Sequence, residues 1–309
     1  MGLFSNNKKL CPICGNPTPR LMATKVDDMP ICKECANKIY LPNGMLENMN
    51  IEAFRQYMNF YDENKQLREV FFESYHYNFG LFGDDLVLDS AHGLLRMKNN
   101  KEALVFEAAS LKNFRILEGD KVLYESRKQG LLCHKSDVPE RVKGMSALID
   151  QFNLQRREYE WMERREKERE ERARERGENV VHRYTPRPTF TVPELFQHYH
   201  IELSFDHPYW TEVRWEVVAP SFDSNYPSIE SYLVDYENST EKMRALAVNL
   251  MQLMNPAAQE IAAGSSLAEP QTTQVIDTVE EIKKYKQLLD MGIITEEEFS
   301  AKKRQLLGI

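Results

Sequence analysis

The 309-residue sequence lacks long apolar runs, and it has only one cysteine beyond its N-terminal segment, Cys133. The longest apolar stretch, residues 246–254, is interrupted by Asn249 and Gln252 and is too short to predict a transmembrane helix. Residues 1–6 contain no signal-type apolar segment, and position 6 is Asn where the N-myristoylation pattern requires Ser or Thr. Because sparse cysteines are typical of a reducing compartment, we expect a cytoplasmic protein.

The sequence also lacks an excess of basic residues and the motifs of common enzyme classes. Its formal net charge is -8, which argues against general binding to nucleic acid or to anionic membranes. It has no Walker loop, no Gly-x-Ser-x-Gly elbow, no His-Glu-x-x-His motif and no dinucleotide-binding fingerprint. We therefore expect a protein that is not an enzyme and that binds or assembles with other macromolecules.

The cysteines that are present near the N-terminus form two Cys-x-x-Cys pairs. Cys11 and Cys14 make the first pair, and Cys32 and Cys35 follow at the spacing of a zinc ribbon. Gly15 can adopt the positive φ that a tight turn after the first pair needs. A segment of about this size cannot build its own core, so we predict a structural Zn²⁺ ion held by all four thiolates. Such a site leaves no position for a catalytic water.

The sequence leaves other uses of the four cysteines open. They can form two disulfides, although nothing marks the chain for export, or they can hold iron alone or in an iron–sulfur cluster. The ribbon can also contact nucleic acid, but its basic residues are partly offset by acidic ones, which weakens phosphate binding. The basic residues are Lys8, Lys9, Arg20, Lys25, Lys33 and Lys38, and the acidic residues are Asp27, Asp28 and Glu34.

After the ribbon, residues 1–44, residues 45–147 carry the patterns of helices followed by strands. Apolar residues at helical spacing over 51–75 predict two helices, divided near residues 62–64. Short apolar segments separated by Gly and Asn then predict antiparallel hairpins over 86–97 and 113–124. Tight hairpins of this kind are typical of a strongly bent sheet or a small barrel.

Residues 179–255 continue the body after an extended return segment that contains several prolines. Alternation over 198–205 and 211–218 predicts two more strands, and the apolar pattern over 228–254 predicts a helix. We therefore predict an α+β fold. Its body is a pleckstrin-homology-like (PH-like) antiparallel sheet closed by a capping helix and interrupted by a long insertion.

The insertion, residues 148–178, is dominated by arginine and glutamate. Opposite charges recur three and four positions apart, as in Glu163–Lys167 and Glu168–Arg172, and each such pair adds a few tenths of a kcal/mol to an exposed helix. Apolar residues are too few for a coiled coil beyond the start of the segment. The pattern predicts a solvated helical arm, which is either a spacer or a surface that holds a partner or a second subunit.

The C-terminal residues predict a flexible linker followed by a helical hairpin. Residues 256–276 are rich in Ala, Ser, Gln and Thr. Asp277 can cap a first helix, and Thr295 with Glu298 forms a capping box that begins a second one. A hairpin over 277–309 buries too little surface to be stable alone. We therefore expect it to dock on the body, on another copy or on another protein.

Two segments resemble known families. Residues 280–308, and above all Leu288-Leu-Asp-Met-Gly-Ile-Ile-Thr-Glu-Glu-Glu-Phe299, closely resemble the short C-terminal (SHOCT) domain, a bacterial module associated with oligomerisation or partner binding. The segment from Cys11 to Cys35 resembles a bacterial zinc-ribbon family of unknown function, in which a strand-rich body commonly follows the ribbon. The long charged insertion departs from that compact body. These resemblances imply a zinc-bound head and an interacting tail, and they imply no reaction.

Three groups of side chains outside the ribbon are weaker candidates for chemistry. Cys133 and His134 are adjacent on a strand and so point to opposite faces, which favours an ordinary buried thiol over a nucleophile. His198 and His200 share a face near His207 and suggest a second metal site, but no carboxylate pattern completes it. Three aspartates flank a predicted strand turn, which we expect them to cap and solvate: Asp84, Asp85 and Asp89.

The leading hypothesis is a non-catalytic, zinc-containing adaptor that uses the body surface and the hairpin over 277–309 for protein–protein interaction or homo-oligomerisation. One alternative is a zinc-ribbon protein associated with nucleic acid. Another is a PH-like module that binds peptides or lipids.

Overall fold

The computed structural model describes residues 9–80, 85–179, 181, 184–192 and 195–262. The chain divides into two compact units, Met1–Ala263 and Gly264–Ile309, and all of the described residues belong to the first. The predicted hairpin over 277–309, most of the predicted linker and Asp84 lie outside the described residues. Among the helices that are described, none has the length and apolarity needed to cross a membrane.

The N-terminal segment contains a two-stranded hairpin followed by a short helix. Strands β1 (Lys25–Val26) and β2 (Met29–Pro30) pair antiparallel through a two-residue turn. Asp27 and Asp28 have positive φ angles of 51° and 57°, the backbone conformation of a type I′ turn, which matches the twist of paired strands. Helix α1 (Lys33–Asn37) follows the hairpin.

Two helices follow the ribbon, as predicted, and a buried asparagine lies at the break between them. They are α2 (Ile51–Glu63) and α3 (Lys65–Val70). The Asn64 side chain donates to the carbonyl of Val105 at 2.7 Å and accepts from its N–H at 3.0 Å. The side chain therefore satisfies a strand backbone that would otherwise lose two hydrogen bonds on burial.

The next four strands form an antiparallel sheet in chain order. The hairpin predicted over 86–97 is confirmed, because β4 pairs with β5. The first strand, which the sequence did not predict, is mostly exposed and polar, so its pattern carries no apolar alternation. The strands are β3 (Tyr75–Asn78), β4 (Asp85–Asp89), β5 (Leu94–Arg96) and β6 (Val105–Glu107).

A second sheet has six strands in the order β11-β10-β7-β8-β9-β12. The hairpin predicted over 113–124 is confirmed, and so are the strands predicted over 198–205 and 211–218, which pair with each other. The insertion enters after β9, and β10 returns to pair antiparallel with β7. The strands are β7 (Leu111–Glu118), β8 (Lys121–Arg127), β9 (Gly130–Cys133), β10 (His198–Phe205), β11 (Glu212–Val218) and β12 (Gln259–Ala262).

Strand β12 corrects the prediction that a flexible linker starts at residue 256. It pairs parallel with β9, and this pairing places Gln259 opposite Gly130. The backbones approach so closely there that a Cβ atom at Gly130 would lie 2.0 Å from the Gln259 carbonyl oxygen. Strand pairing uses backbone groups, so the polar composition of this segment did not indicate it.

Between β9 and β10 the chain forms a short helix, α4 (Val138–Lys143), which precedes the predicted insertion, and then the 30-residue helix α5 (Ser146–Glu175), which forms most of that insertion. At 1.5 Å per residue, α5 is about 45 Å long. The predicted pair Glu168–Arg172 is present at 3.3 Å. The first turns of α5 contact the return segment, where the Phe152 and Phe190 ring centroids lie 5.4 Å apart.

Helix α6 (Ile229–Met254) confirms the helix predicted over 228–254, and Ser228 caps its first turn. The helix packs on β7, β8 and β9. At its N-terminal half, Tyr236 donates a hydrogen bond of 2.7 Å to buried Glu118, which also accepts one of 2.6 Å from Ser136. Its buried residues are Tyr232, Tyr236, Met243, Leu246, Ala247, Leu250, Met251 and Leu253.

A single hydrophobic core joins the N-terminal hairpin, α2, both sheets and α6. The sheets meet where the rings of Phe106 and Phe205 lie 5.3 Å apart. His207 lies at the same junction, with its ring centroid 5.1 Å from that of Phe60 and 4.9 Å from that of Phe106. The mixed helix-and-sheet class predicted from the sequence is therefore confirmed.

We predict that His207 makes the fold sensitive to mild acid. Its Nδ1 accepts hydrogen bonds of 3.2 Å from the backbone N–H groups of Tyr209 and Trp210, and burial lowers its pKa from 6.5 to about 4. As the pH falls from 6.5 towards 4, the unfolded chain gains a proton at this histidine that the folded chain does not. This linkage should lower the free energy of unfolding by as much as about 3 kcal/mol.

The control variant is His207→Asn, whose neutral side-chain oxygen can still accept from the two N–H groups. Urea unfolding of both proteins at pH 7, 5.5 and 4 measures the free energy of unfolding. The difference between the two pH profiles reports His207, because the other titrating groups contribute equally to the wild type and the variant. The wild type should lose more stability than the variant on acidification. Parallel pH profiles would contradict the prediction.

Candidate metal centre

The first Cys-x-x-Cys pair lies on a tight loop that its own backbone stabilises. The N–H of Gly15 donates to the carbonyl of Cys11 at 2.9 Å, and the N–H of Cys11 donates to the carbonyl of Asn16 at 2.8 Å. Gly15 has a φ of 76°, as the sequence predicted for this turn. The loop therefore directs Cys11 and Cys14 towards the same side.

The second pair lies at the start of α1. Cys32 is the N-cap residue, and its sulfur accepts a hydrogen bond of 3.4 Å from the N–H of Cys35 in the first turn. Asn16 links the two loops through a hydrogen bond of 2.8 Å to Glu34. The hairpin of β1 and β2 thus returns the second pair of cysteines to the first.

The four sulfur atoms lie within 4.8 Å of one another. The Sγ atoms of Cys11 and Cys35 are 3.9 Å apart, those of Cys14 and Cys32 are 3.4 Å apart, and those of Cys14 and Cys35 are 3.6 Å apart. A regular tetrahedron with metal–sulfur bonds of about 2.3 Å has sulfur–sulfur edges of about 3.8 Å. The four predicted ligands therefore fit one four-coordinate ion, and all of them are free of disulfides.

The surroundings of the sulfurs favour ionisation of Cys11 and oppose ionisation of Cys35. Burial opposes ionisation of Cys11, but backbone hydrogen bonds from Cys32, Cys14 and Ile13 lower its pKa to about 7. Burial raises the pKa of the Cys35 thiol, and its three cysteine neighbours add to this shift. A bound cation would offset that crowding, because metal ligands must be deprotonated.

The ribbon is attached to the body by buried apolar residues. Val26 and Ile31 are 1% and 0% exposed and belong to the same core as Phe54 of α2. On the same helix, Arg55 donates a hydrogen bond of 2.8 Å to the carbonyl of Pro12 in the first cysteine loop. The sequence predicted a hairpin without a core, and it gave no sign that the hairpin would share the core of the body.

Aromatic side chains make a second attachment just after α1. The Tyr57 hydroxyl donates to the carbonyl of Lys38 and accepts from the N–H of Tyr40, each at 2.7 Å. The indole N–H of Trp210 donates to the carbonyl of Tyr40 at 3.0 Å. The chain that leaves the metal centre is therefore held against both α2 and the loop before β11.

The structure does not assemble a second metal site from the histidines. The ring centroids of His198 and His200 are 6.2 Å apart, and His200 lies 3.5 Å from Glu216. His207 packs separately against Phe60, as described above. Among the described residues, the four cysteines are the one group of three or more His, Cys, Asp or Glu side chains placed to hold an ion.

The remaining candidates have local roles. Cys133 is half-buried, and burial raises the pKa of its thiol, while His134 bonds to Glu125 at 3.2 Å. The carboxylates of Asp85 and Asp89 accept hydrogen bonds from nearby residues, as caps do. They are only 6% and 0% exposed, so the expectation that they solvate the turn is wrong. Asp89 accepts from the backbone N–H groups of Phe72, Ala91 and His92.

Comparisons with known proteins identify one segment of the chain. Residues 280–307 match the model of SHOCT, the short C-terminal domain, so the resemblance seen in the tail is confirmed. No curated protein and no solved structure matches the chain. The resemblance of the head to a zinc-ribbon family stays a prediction.

We predict that the purified protein binds about one metal ion per chain through the four cysteines. Replacing a buried ligand, Cys32→Ser, should reduce the metal content several-fold and lower the unfolding temperature, because the remaining sulfurs cannot complete the tetrahedron. Cys133→Ser is the matched control and should change neither quantity. Elemental analysis and thermal unfolding measure both effects. Equal metal loss in the two variants would contradict the assignment.

Proposed function

We propose that the protein is a non-catalytic, cytoplasmic adaptor in which a structural Zn²⁺ ion stabilises the N-terminal head. Cys11, Cys14, Cys32 and Cys35 would hold the ion. The body and the C-terminal tail would contact other proteins or further copies of the chain.

The observation that carries this proposal is the closed ligand set of the metal centre. Four sulfurs at tetrahedral spacing fill every coordination position of a zinc ion. A catalytic zinc site keeps one position for water or substrate, and this set leaves none. Zinc is the metal that four-cysteine ribbons most often hold, and here it would stabilise a segment with little secondary structure of its own.

We further propose that the body is PH-like. Two antiparallel hairpins, β7–β8 and β10–β11, are joined in one sheet, and α6 follows the last of them and packs on that sheet. In this proposal the sheet is a scaffold, and its outer strand and face are available for recognition.

The tail supplies the second interacting element. The SHOCT match over 280–307 supports a helical hairpin in which Ile282, Leu288 and Leu289 share an apolar face. In this proposal, that face docks on another copy of the chain or on a partner, because a hairpin of this size buries too little surface alone.

We predict that deleting residues 277–309 lowers the mass that light scattering measures for the full chain, while the metal content stays at about one ion per chain. Leu289→Asp should have the same effect, because it places a charge on the apolar face. Gln287→Asp introduces the same charge on a polar position and should leave the mass unchanged. Unchanged stoichiometry of the deletion variant, alone and with co-purified partners, would contradict self-association and docking by the tail.

A further inference from the structure

Strand β11 forms an unprotected edge of the six-stranded sheet. It pairs with β10 along all seven of its residues, and within the described ranges no strand pairs with its outer side. Exposed edges usually carry proline, lysine or a bulge that prevents further pairing. β11 has neither proline nor lysine, and its register with β10 shows no irregularity.

The side chains of β11 alternate between two different surfaces. Trp215 is 7% exposed, and its ring centroid lies 5.2 Å from that of Phe79, so this face belongs to the core. Glu212, Arg214 and Glu216 are exposed on the opposite face. An incoming strand would therefore meet a row of alternating charges on one face and apolar side chains on the other.

The charges of β11 continue a ladder that crosses the solvent-exposed face of the sheet. The register places Glu125 opposite Arg115, Arg115 opposite Glu202, and Glu202 opposite Arg214. Arg115 lies 2.7 Å from Glu202, and Arg214 lies 3.9 Å from the same carboxylate. The signs alternate from strand to strand, and the ladder ends at the open edge with the cation of Arg214.

The sequence of β11 is complementary to itself. If a second β11 strand runs antiparallel and a twofold axis passes through Trp215, Arg214 of each copy faces Glu216 of the other. Val213 then faces Val217 on the inner side, and all seven residues are paired. Moving the axis to Arg214 places Arg214 of one copy opposite Arg214 of the other, and moving it to Glu216 does the same for Glu216. Both of these registers bring like charges together. An axis between residues would pair inward with outward side chains, so the Trp215 register is favoured.

We propose that two copies of this chain associate by antiparallel pairing of their β11 strands about Trp215. This pairing joins the six-stranded sheet of one copy to that of the other. The cation that ends each ladder then meets the Glu216 carboxylate of the other copy. On the inner side, the paired strand covers a groove beside β11 whose lining includes Leu41, Met97, Leu104 and Trp210. This pairing uses none of the four N-terminal cysteines and no residue of the segment 277–309.

Charge reversal tests the register on the full chain. Arg214→Glu and Glu216→Arg each place like charges opposite one another twice, so each should raise the Kd of self-association about tenfold or more. The double variant, Arg214→Glu with Glu216→Arg, restores both pairs and should recover the wild-type Kd. Glu237→Arg, an equal charge change at an exposed position of α6, is the control. Sedimentation over a range of concentrations measures each Kd.

Cross-linking tests the same register independently of any association by the tail. Residues directly opposite in antiparallel strands have Cα atoms close enough for a disulfide. Glu212→Cys combined with Val218→Cys should therefore yield a covalent dimer on mild oxidation, because these positions face each other across the axis. Glu212→Cys alone should not.

The two tests separate this proposal from the proposed role of the tail. A chain carrying Glu212→Cys and Val218→Cys that gives no cross-linked dimer, or a double charge variant that does not recover the wild-type Kd, would overturn pairing through β11. Loss of association on deleting residues 277–309 with the cross-link retained would support both interfaces.

Discussion

The convergence of four sulfur atoms within 4.8 Å is the constraint on which the N-terminal part of the structure depends. The segment that carries the cysteine pairs has two strands of two residues each and a helix of five, so its hydrogen bonds alone define little structure. What orders it is the closure of the two cysteine loops and the burial of Val26 and Ile31 in the core of the body. Because these residues lie between the two cysteine pairs, a bound metal ion would stabilise the same conformation as core packing does.

That shared core connects the metal centre to the open edge of the sheet. The chain leaving α1 is held by Tyr57 and by the Trp210 indole, which donates to the Tyr40 carbonyl. The residues that follow Tyr40 form one wall of the groove beside β11. The cysteine-bearing segment thus has a structural role beyond itself, since it positions part of the surface that a strand added to β11 would contact.

The sequence predicted the elements whose signals are local. Cysteine spacing identified the four residues whose sulfur atoms converge, and turn residues with alternating strands identified the main hairpins. It missed β12, whose pairing with β9 uses backbone groups and a glycine contact, and it missed the role of Asn64, which bonds to a strand 41 residues away in the chain. It also missed the attachment of the ribbon to α2. These features depend on which distant segments meet, and side-chain patterns within one segment carry no information about that.

The balance of charges on the six-stranded sheet helps to explain how the β11 edge would select one pairing register. On the exposed face of the six-stranded sheet, the cations of Arg115 and Arg214 alternate with the carboxylates of Glu125 and Glu202, so this part of the face has little net charge to attract a partner from a distance. Its charges instead discriminate between registers, since a shift of the axis by one residue along β11 brings like charges together. Backbone pairing would supply the attraction and the ladder would define the alignment. An edge organised in this way favours one partner geometry over nonspecific aggregation, which is the hazard that unprotected strands otherwise present.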